Sequence, residues 1–301
     1  MTTLDNCPVC GSKSFSNFLR CKDFTVTKEY FDLVDCNECK FVFTNPRPAD
    51  AELGYYYKSE DYISHSNVRK GVISWMYYLI RNFTLQQKVK LVSSYVSRGT
   101  ILDYGCGTGM FLGATNSAGW QSFGLEPDAG ARTIAATMTK GVYENKHALA
   151  SEQPKMMFDA ITLWHVLEHV TDLQETLGFF KSRLNRDGAL IVAVPNHKSF
   201  DAEHYKEYWA AYDVPRHLYH FDITSISKLL RRQGFTLIDT RPMKFDSFYV
   251  SILSEKYKRK SISYGRAFLN GLRSNARAQN TGEYSSRIYV FKHHKTHDPD
   301  L

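Results

Sequence analysis

Apolar and polar positions alternate in two registers along this chain. From Val72 to Ser97 the residues Ile73, Met76, Tyr77, Ile80, Phe83, Val89, Val92 and Val96 recur at helical spacing. After residue 99 the period changes. Thr100–Tyr104 reads as a short buried strand, followed by a helix over Met110–Ala118. Ser122–Leu125 is a second strand, with a helix from Asp128 to Met138. Gly141–Tyr143 and Phe158–Trp164 read as further strands, and a helix over Leu173–Leu184 carries Leu177, Phe180 and Leu184 on one face. Gly188–Val194 is a fifth strand, closed by Pro195. Strands alternating with helices of this length predict βαβ units and a mostly parallel, doubly wound α/β sheet. Beyond them, Ile223–Gln233 predicts a helix, Phe235–Thr240 a strand, residues 245–278 a basic helical stretch, and Ser286–Lys292 a last strand.

The first 45 residues have a different texture, with short β segments such as Phe15–Leu19 and Phe41–Phe43 set around cysteines. Cys7-Pro-Val-Cys10 and Cys36-Asn-Glu-Cys39 form two pairs separated by 25 residues, a gap that a hairpin can absorb. Two sulfurs three positions apart on a tight turn face one ion, and two such turns complete a tetrahedron of thiolates, the donor set that suits Zn²⁺. With all four positions taken by Cys7, Cys10, Cys36 and Cys39, the site is closed and structural. The organisation that follows is a zinc ribbon over 1–48, a linker or lid and helix over 49–98, and a main domain over 99–301 with a helical insertion at about 245–280.

Composition sets outer bounds. Of 301 residues, 43% are apolar and 23% charged, enough to bury a core and too ordered for a disordered chain. The formal charge of +7 permits an acidic or carrier-bound acceptor without demanding nucleic acid. The greasiest stretch, Val72–Phe83, is short and carries Arg81, so no transmembrane segment is expected, while peripheral membrane contact stays open. The opening residues have neither a basic nor an apolar leader region, which reads as cytoplasmic. Monomer and homodimer are both open.

The chemistry concentrates where the first strand ends. Asp103-Tyr-Gly-Cys-Gly-Thr-Gly109 lets a ligand approach the backbone at a helix N-terminus, and Glu126 closes the second strand where a carboxylate can take a ribose diol. A dinucleotide fingerprint would need glycine at Met110, and no P-loop is present. Here the residues resemble class I S-adenosylmethionine-dependent methyltransferases, whose acidic residue followed by Gly-x-Gly-x-Gly and second acidic residue are matched 23 positions apart. Asp159–Val170, Asp213–Phe221 and Gln233-Gly-Phe235 look like segments of the subgroup related to quinone-biosynthesis methyltransferases. The cysteine module is similar to that of certain sugar C-methyltransferases. The resemblance implies a seven-stranded Rossmann-like sheet that binds S-adenosyl-L-methionine. Cofactor contacts would come from Asp103, Gly105, Cys106, Gly107 and Gly109, from Glu126 and Pro127, from Leu149 near the adenine, and from Trp164 and His165 at the methionine end.

Methyl transfer needs a positioned nucleophile and a base, and His169, His217 and His220 are the candidate bases with Glu168 as orienting carboxylate. Residues 201–221, rich in Tyr, Trp and His, would form the acceptor wall, and Tyr56, Tyr57 and Tyr62 a lid. The reading is methylation of an oxygen or carbon of a small molecule. Its alternatives are a nucleic-acid methyltransferase and a non-catalytic cofactor-binding or zinc-mediated interaction protein. His165-x-x-Glu168-His169 also matches an inverted zinc-protease motif, which needs both rings on one helix face. The basic 245–278 stretch reads as a solvated helical cap that could hold an acidic carrier, a phosphate-bearing substrate or a membrane surface.

Overall fold

A computed structural model describes residues 1–57, 72–139 and 141–294, with side chains from residue 82 onward in the long helix. Tyr62, and the side chains of Ile73, Met76, Tyr77 and Ile80, lie outside the described residues.

Eleven strands among these residues form two sheets. In the larger, β4 (Thr100–Tyr104), β5 (Gln121–Leu125), β6 (Gly141–Tyr143), β7 (Phe158–Trp164) and β8 (Leu184–Pro195) run parallel. β11 (Ser286–His293) inserts antiparallel between β8 and the edge strand β10 (Phe235–Pro242), giving the order β10-β11-β8-β7-β4-β5-β6. The central strands are buried on both faces: residues 188–195 of β8 have no exposed position, as a parallel sheet covered by helices requires.

The connecting helices are α1 (Val72–Tyr95), α2 (Met110–Ser117), α3 (Ala129–Ala135), α4 (Lys146–Glu152), α5 (Leu173–Arg183), α6 (Phe200–Tyr205) and α7 (Ile223–Arg232). Their starts follow from capping chemistry. Asp128 accepts from the Ala131 N–H, Asn145 from the N–H groups of His147 and Ala148, and Asp222 from Ser225. Leu184, expected as the last residue of a helix, instead begins β8 with its side chain in the core.

The smaller sheet is antiparallel: β1 (Phe15–Lys22), β2 (Tyr30–Cys36), β3 (Val42–Thr44) and β9 (Tyr219–His220). β2 is a strand that the sequence pattern concealed, because Asp32 and Asp35 interrupt its apolar residues while Phe31, Leu33, Val34 and Cys36 are buried. The fourth strand comes from the main domain: Val42 pairs with His220 and Phe43 with Tyr219. The cysteine-bearing segment is therefore continuous with the Tyr219–His220 strand of the main domain. The pairing is reinforced by Arg216, whose guanidinium bonds the buried Asp23 at 3.0 Å, Asp213, and the carbonyl of Tyr56. The basic stretch resolves into two helices, α8 (Asp246–Arg259) and α9 (Tyr264–Thr281), separated where Lys260 turns into the left-handed region.

Candidate active site

At the carboxyl end of β4 the backbone turns through three positive-φ glycines, Gly105, Gly107 and Gly109. Two are required by packing: a Cβ at Gly105 would lie 2.6 Å from Val166, and one at Gly109 would lie 2.8 Å from the Ala135 backbone. Gly107 is different. A Cβ there would meet nothing within 4 Å, so the turn opens onto vacant space at the start of α2. Cys106 turns its thiol inward against Gly124 and Leu112 and contributes packing, while its N–H is spent on the Leu125 carbonyl.

Glu126 ends β5 beside this turn. Its carboxylate accepts from the Gly107 N–H at 2.8 Å and the Asp128 N–H at 2.9 Å, which fixes its orientation and leaves lone pairs for a diol. Pro127 next to it is exposed, and Leu149 is packed in the core, so only its surroundings can meet a ligand. Asp103 lies beneath the turn, buried, and accepts from Thr162 Oγ1 at 2.7 Å. Burial pushes its carboxyl up to about 7, against the pull of the Thr162 hydroxyl and the Lys88 ammonium.

Lys88 of α1, not singled out by the sequence, is the cation of this corner. Its Nζ sits 4.3 Å from the centre of the Trp164 ring and feels both Asp103 and Asp246. The Trp164 indole N–H is buried with no hydrogen-bond acceptor among the described residues. Residue 88 lies one turn before the buried Val92, on the side of the helix that faces the sheet. Its role depends on contacts with strands far away in sequence.

His165 follows, in the left-handed region at φ 59°. Its Nε2 lies 2.9 Å from Asp246 and its Nδ1 3.4 Å from Glu168, so both nitrogens face carboxylates. These partners outweigh burial and hold the ring as an imidazolium, with the pKa raised to about 10. The two-ring helical face of a zinc-protease motif is not built, because residues 165 and 166 are outside any helix and His165 is turned to Asp246.

His169 and His217 stand side by side. Their rings meet edge to face at 4.5 Å. His217 Nδ1 lies 2.8 Å from the Ala211 carbonyl, which only accepts, so that nitrogen donates. His169 Nδ1 lies 3.0 Å from the Arg216 carbonyl and 3.0 Å from the Tyr57 hydroxyl, which assigns its tautomer the same way. Burial and the neighbouring His217 hold His169 down at about 4. Glu168, fully buried below, faces His165 Nδ1 at 3.4 Å and makes no closer side-chain hydrogen bond among the described residues. Glu168, His169 and His217 offer three donor atoms within 4.8 Å of one another, an arrangement able to orient a proton or a divalent cation. His220 is deeper; its Nε2 faces Thr44 Oγ1 at 3.4 Å, and that hydroxyl donates to the His217 carbonyl at 2.8 Å. Of the residues expected in an acceptor wall, Tyr205, Trp209 and Tyr212 are buried packing groups; of those expected in a lid, Tyr57 reaches His169.

In the N-terminal module the sulfurs of Cys7 and Cys39 are 3.5 Å apart, those of Cys10 and Cys36 3.4 Å apart, and all four lie within 4.8 Å. Zn–S bonds of about 2.3 Å in a tetrahedron put sulfurs roughly 3.8 Å apart, so this donor set fits one zinc ion.

Sheet order, glycine turn and acidic strand end together define a Rossmann-like methyltransferase domain of the S-adenosylmethionine-dependent class. Residues 77–240 match the family model described as "Methyltransferase domain", and the chain belongs to that family. Among curated proteins it is similar to ubiquinone biosynthesis O-methyltransferases of Rhodopseudomonas palustris. The identity is 29% over 106 residues with strain BisA53 and 31% over 106 residues with strain HaA2. Each match covers 33% of this chain and 42% of the relative, so the chain spans less than half the length of these proteins. Solved structures with a similar fold include an S-adenosylmethionine-dependent methyltransferase from Archaeoglobus fulgidus, 15% identical at TM-score 0.49, covering 72% of this chain and 99% of that one. Magnesium protoporphyrin IX methyltransferase from Synechocystis PCC 6803 is 15% identical at TM-score 0.48, covering 82% of this chain and 99% of that one.

Proposed function

We propose that this protein transfers a methyl group from S-adenosylmethionine to an oxygen, or alternatively a carbon, of a small-molecule acceptor, and that its N-terminal module holds a structural zinc ion. The observation that carries the reading is the pairing of an open glycine turn at Gly107 with His169, on the loop after β7, and His217, just before β9. S-adenosylmethionine, when bound, supplies an electrophilic methyl group on a sulfonium. The residues present fit it. Gly107 leaves room, Glu126 has lone pairs for the ribose diol, and Asp103 can take the ammonium. Lys88 and the unsatisfied Trp164 N–H suit the methionine carboxylate.

The protein's own work is then positioning and proton removal. His169 receives the acceptor's proton at Nε2; Glu168 beneath it, already facing His165, stabilises the imidazolium that forms. The relatives named for ubiquinone O-methylation support a phenolic acceptor, whose hydroxyl a neutral imidazole can deprotonate as transfer proceeds. A nucleic-acid acceptor is not favoured by any of these relatives.

Calorimetric titration with S-adenosylhomocysteine, with NAD as control, tests the cofactor. Micromolar binding of the first alone is expected, followed by turnover with a phenol or quinol. Folded, zinc-loaded protein that binds no S-adenosylhomocysteine would overturn the reading. Elemental analysis should find one zinc per chain, and an ion-free protein with four alkylatable cysteines would remove the zinc assignment.

A further inference from the structure

Helix α9 is built the wrong way round for a helix on a water-soluble surface. The residues it turns toward the protein are small or polar, Ala267, Asn270, Gly271, Ser274 and Ala278, while the residues it turns outward are large and apolar. At about 100° per residue, Tyr264, Phe268 and Leu272 fall on one stripe with Leu269 beside it, and Arg266, Arg273 and Arg277 fall on the adjoining flank. The partner helix α8 repeats the arrangement. Its inward residues include Ser247, Ser251 and Ser254, and Phe245 and Tyr249 face outward. Close approach of the two helices explains the small inward residues: a Cβ at Gly271 would lie 2.6 Å from the Phe248 ring. It does not explain the outward ones, each of which is between 44% and 67% exposed.

The charges on this face have one sign. All eight lysines and arginines between residues 244 and 281 are exposed, and the only two acids there are turned inward, Asp246 to His165 and Glu255 to Arg259 and Tyr205. Among the described residues, Glu203 from outside the segment reaches Arg277 at 3.9 Å. The apolar patch continues onto α1, where exposed Phe83 meets the edge of Phe245.

We propose that the α8–α9 face is a docking surface for an anionic lipid bilayer. Aromatic and aliphatic side chains flanked by cations match acyl chains beneath a negative headgroup layer. A second copy would bring like charges together. Leu269 and Leu272 do not stack on bases as a nucleic-acid platform would need. The face adjoins the active site, because Asp246, the first residue of α8, is the one that holds His165, so docking would set the site beside the membrane surface.

The test is co-sedimentation of the full-length protein with vesicles of phosphatidylcholine alone and of equal parts phosphatidylcholine and phosphatidylglycerol. Binding is expected to the second at least tenfold more tightly than to the first, and to weaken as salt rises from about 0.05 to 0.5 M. The F268S/L272S variant, altered at exposed positions although Phe268 also stacks on Phe248, should lose about tenfold or more in vesicle affinity with unchanged circular dichroism. R266E/R273E should lose the preference for phosphatidylglycerol. Equal binding to both vesicles, or F268S/L272S binding like the parent, would overturn the proposal. So would a concentration-dependent dimer that F268S/L272S abolishes, since a second copy would then be the occupant.

Discussion

At the scale of single residues, the site divides its titratable groups by environment. His165 is a fixed cation between two carboxylates, His169 is a neutral ring held down by burial, and Asp103 is an acid held near neutrality. If His169 is the base, His169→Ala should lower kcat by roughly 10²- to 10⁴-fold. Affinity for S-adenosylhomocysteine should stay within a fewfold, because His169 lies on the acceptor side. Equal loss of turnover and cofactor binding would remove that role. Asp103 makes a separate, pH-dependent prediction. Its raised pKa of about 7 means the free protein holds a proton on it below neutrality, and a ligand ammonium favours the ionised carboxylate. Binding must then expel that proton, so affinity for S-adenosylhomocysteine should rise as pH goes up through about 7 and level off above. Calorimetry in buffers of different ionisation enthalpy would show the released proton, and Asp103→Asn should abolish the slope.

At the scale of elements, the strand pair β3–β9 decides how the N-terminal module acts. Thr44, fully buried on β3, fixes the His217 carbonyl and faces His220, so the sheet that carries Cys36 also supports the neighbours of the proposed base. Thr44→Val should cost about 1–3 kcal/mol of stability through unsatisfied partners and should also lower kcat. Removing zinc with a chelator should act more strongly, because β1 to β3 lose their anchor. The measurement is turnover and melting temperature before and after chelation and zinc return. Activity untouched by complete zinc loss would show that the two sites are independent. How legible all this was follows element by element. The glycine turn, Glu126 and the cysteine pairs are local patterns whose chemistry depends on residues a few positions apart. β2 was hidden because Asp32 and Asp35 mask its alternation. The addition of β9 to the N-terminal sheet, the Arg216–Asp23 pair and the placement of Lys88 over Trp164 join residues 76 to 193 positions apart, and no local pattern encodes them. The basic helices were visible as cationic, yet their inverted faces needed the structure, since burial rather than composition reveals which stripe points out.

At the scale of the whole molecule, the buried histidines make stability depend on pH in a calculable direction. His197 is buried with neither nitrogen hydrogen-bonded, 3.8 Å from Asp222, and desolvation lowers its pKa to about 4; His169 lies near 4 and His220 is lowered further. In the unfolded chain each would titrate near 6.5. Between pH 6.5 and 4 the unfolded state therefore binds protons that the folded state refuses, and stability falls as pH falls through that window. For His197 alone the loss is on the order of 3 kcal/mol by pH 4. His165 acts oppositely: raised to about 10, it stabilises fully below 6.5 and ceases to do so as pH rises through 10. Asp103 opposes the acid limb, since its folded form binds a proton between 3.8 and 7, but it is one group against three. Melting temperature should thus peak near pH 6.5 and fall on both sides. Acid also protonates thiolates and frees zinc, so the decisive comparison is between variants that share that loss. His197→Leu should be less destabilised than the parent on going from pH 6.5 to 4.5, with the two curves parallel above pH 7. Parallel curves throughout would show that His197 already carries its proton in the folded protein, with Asp222 as its counter-ion.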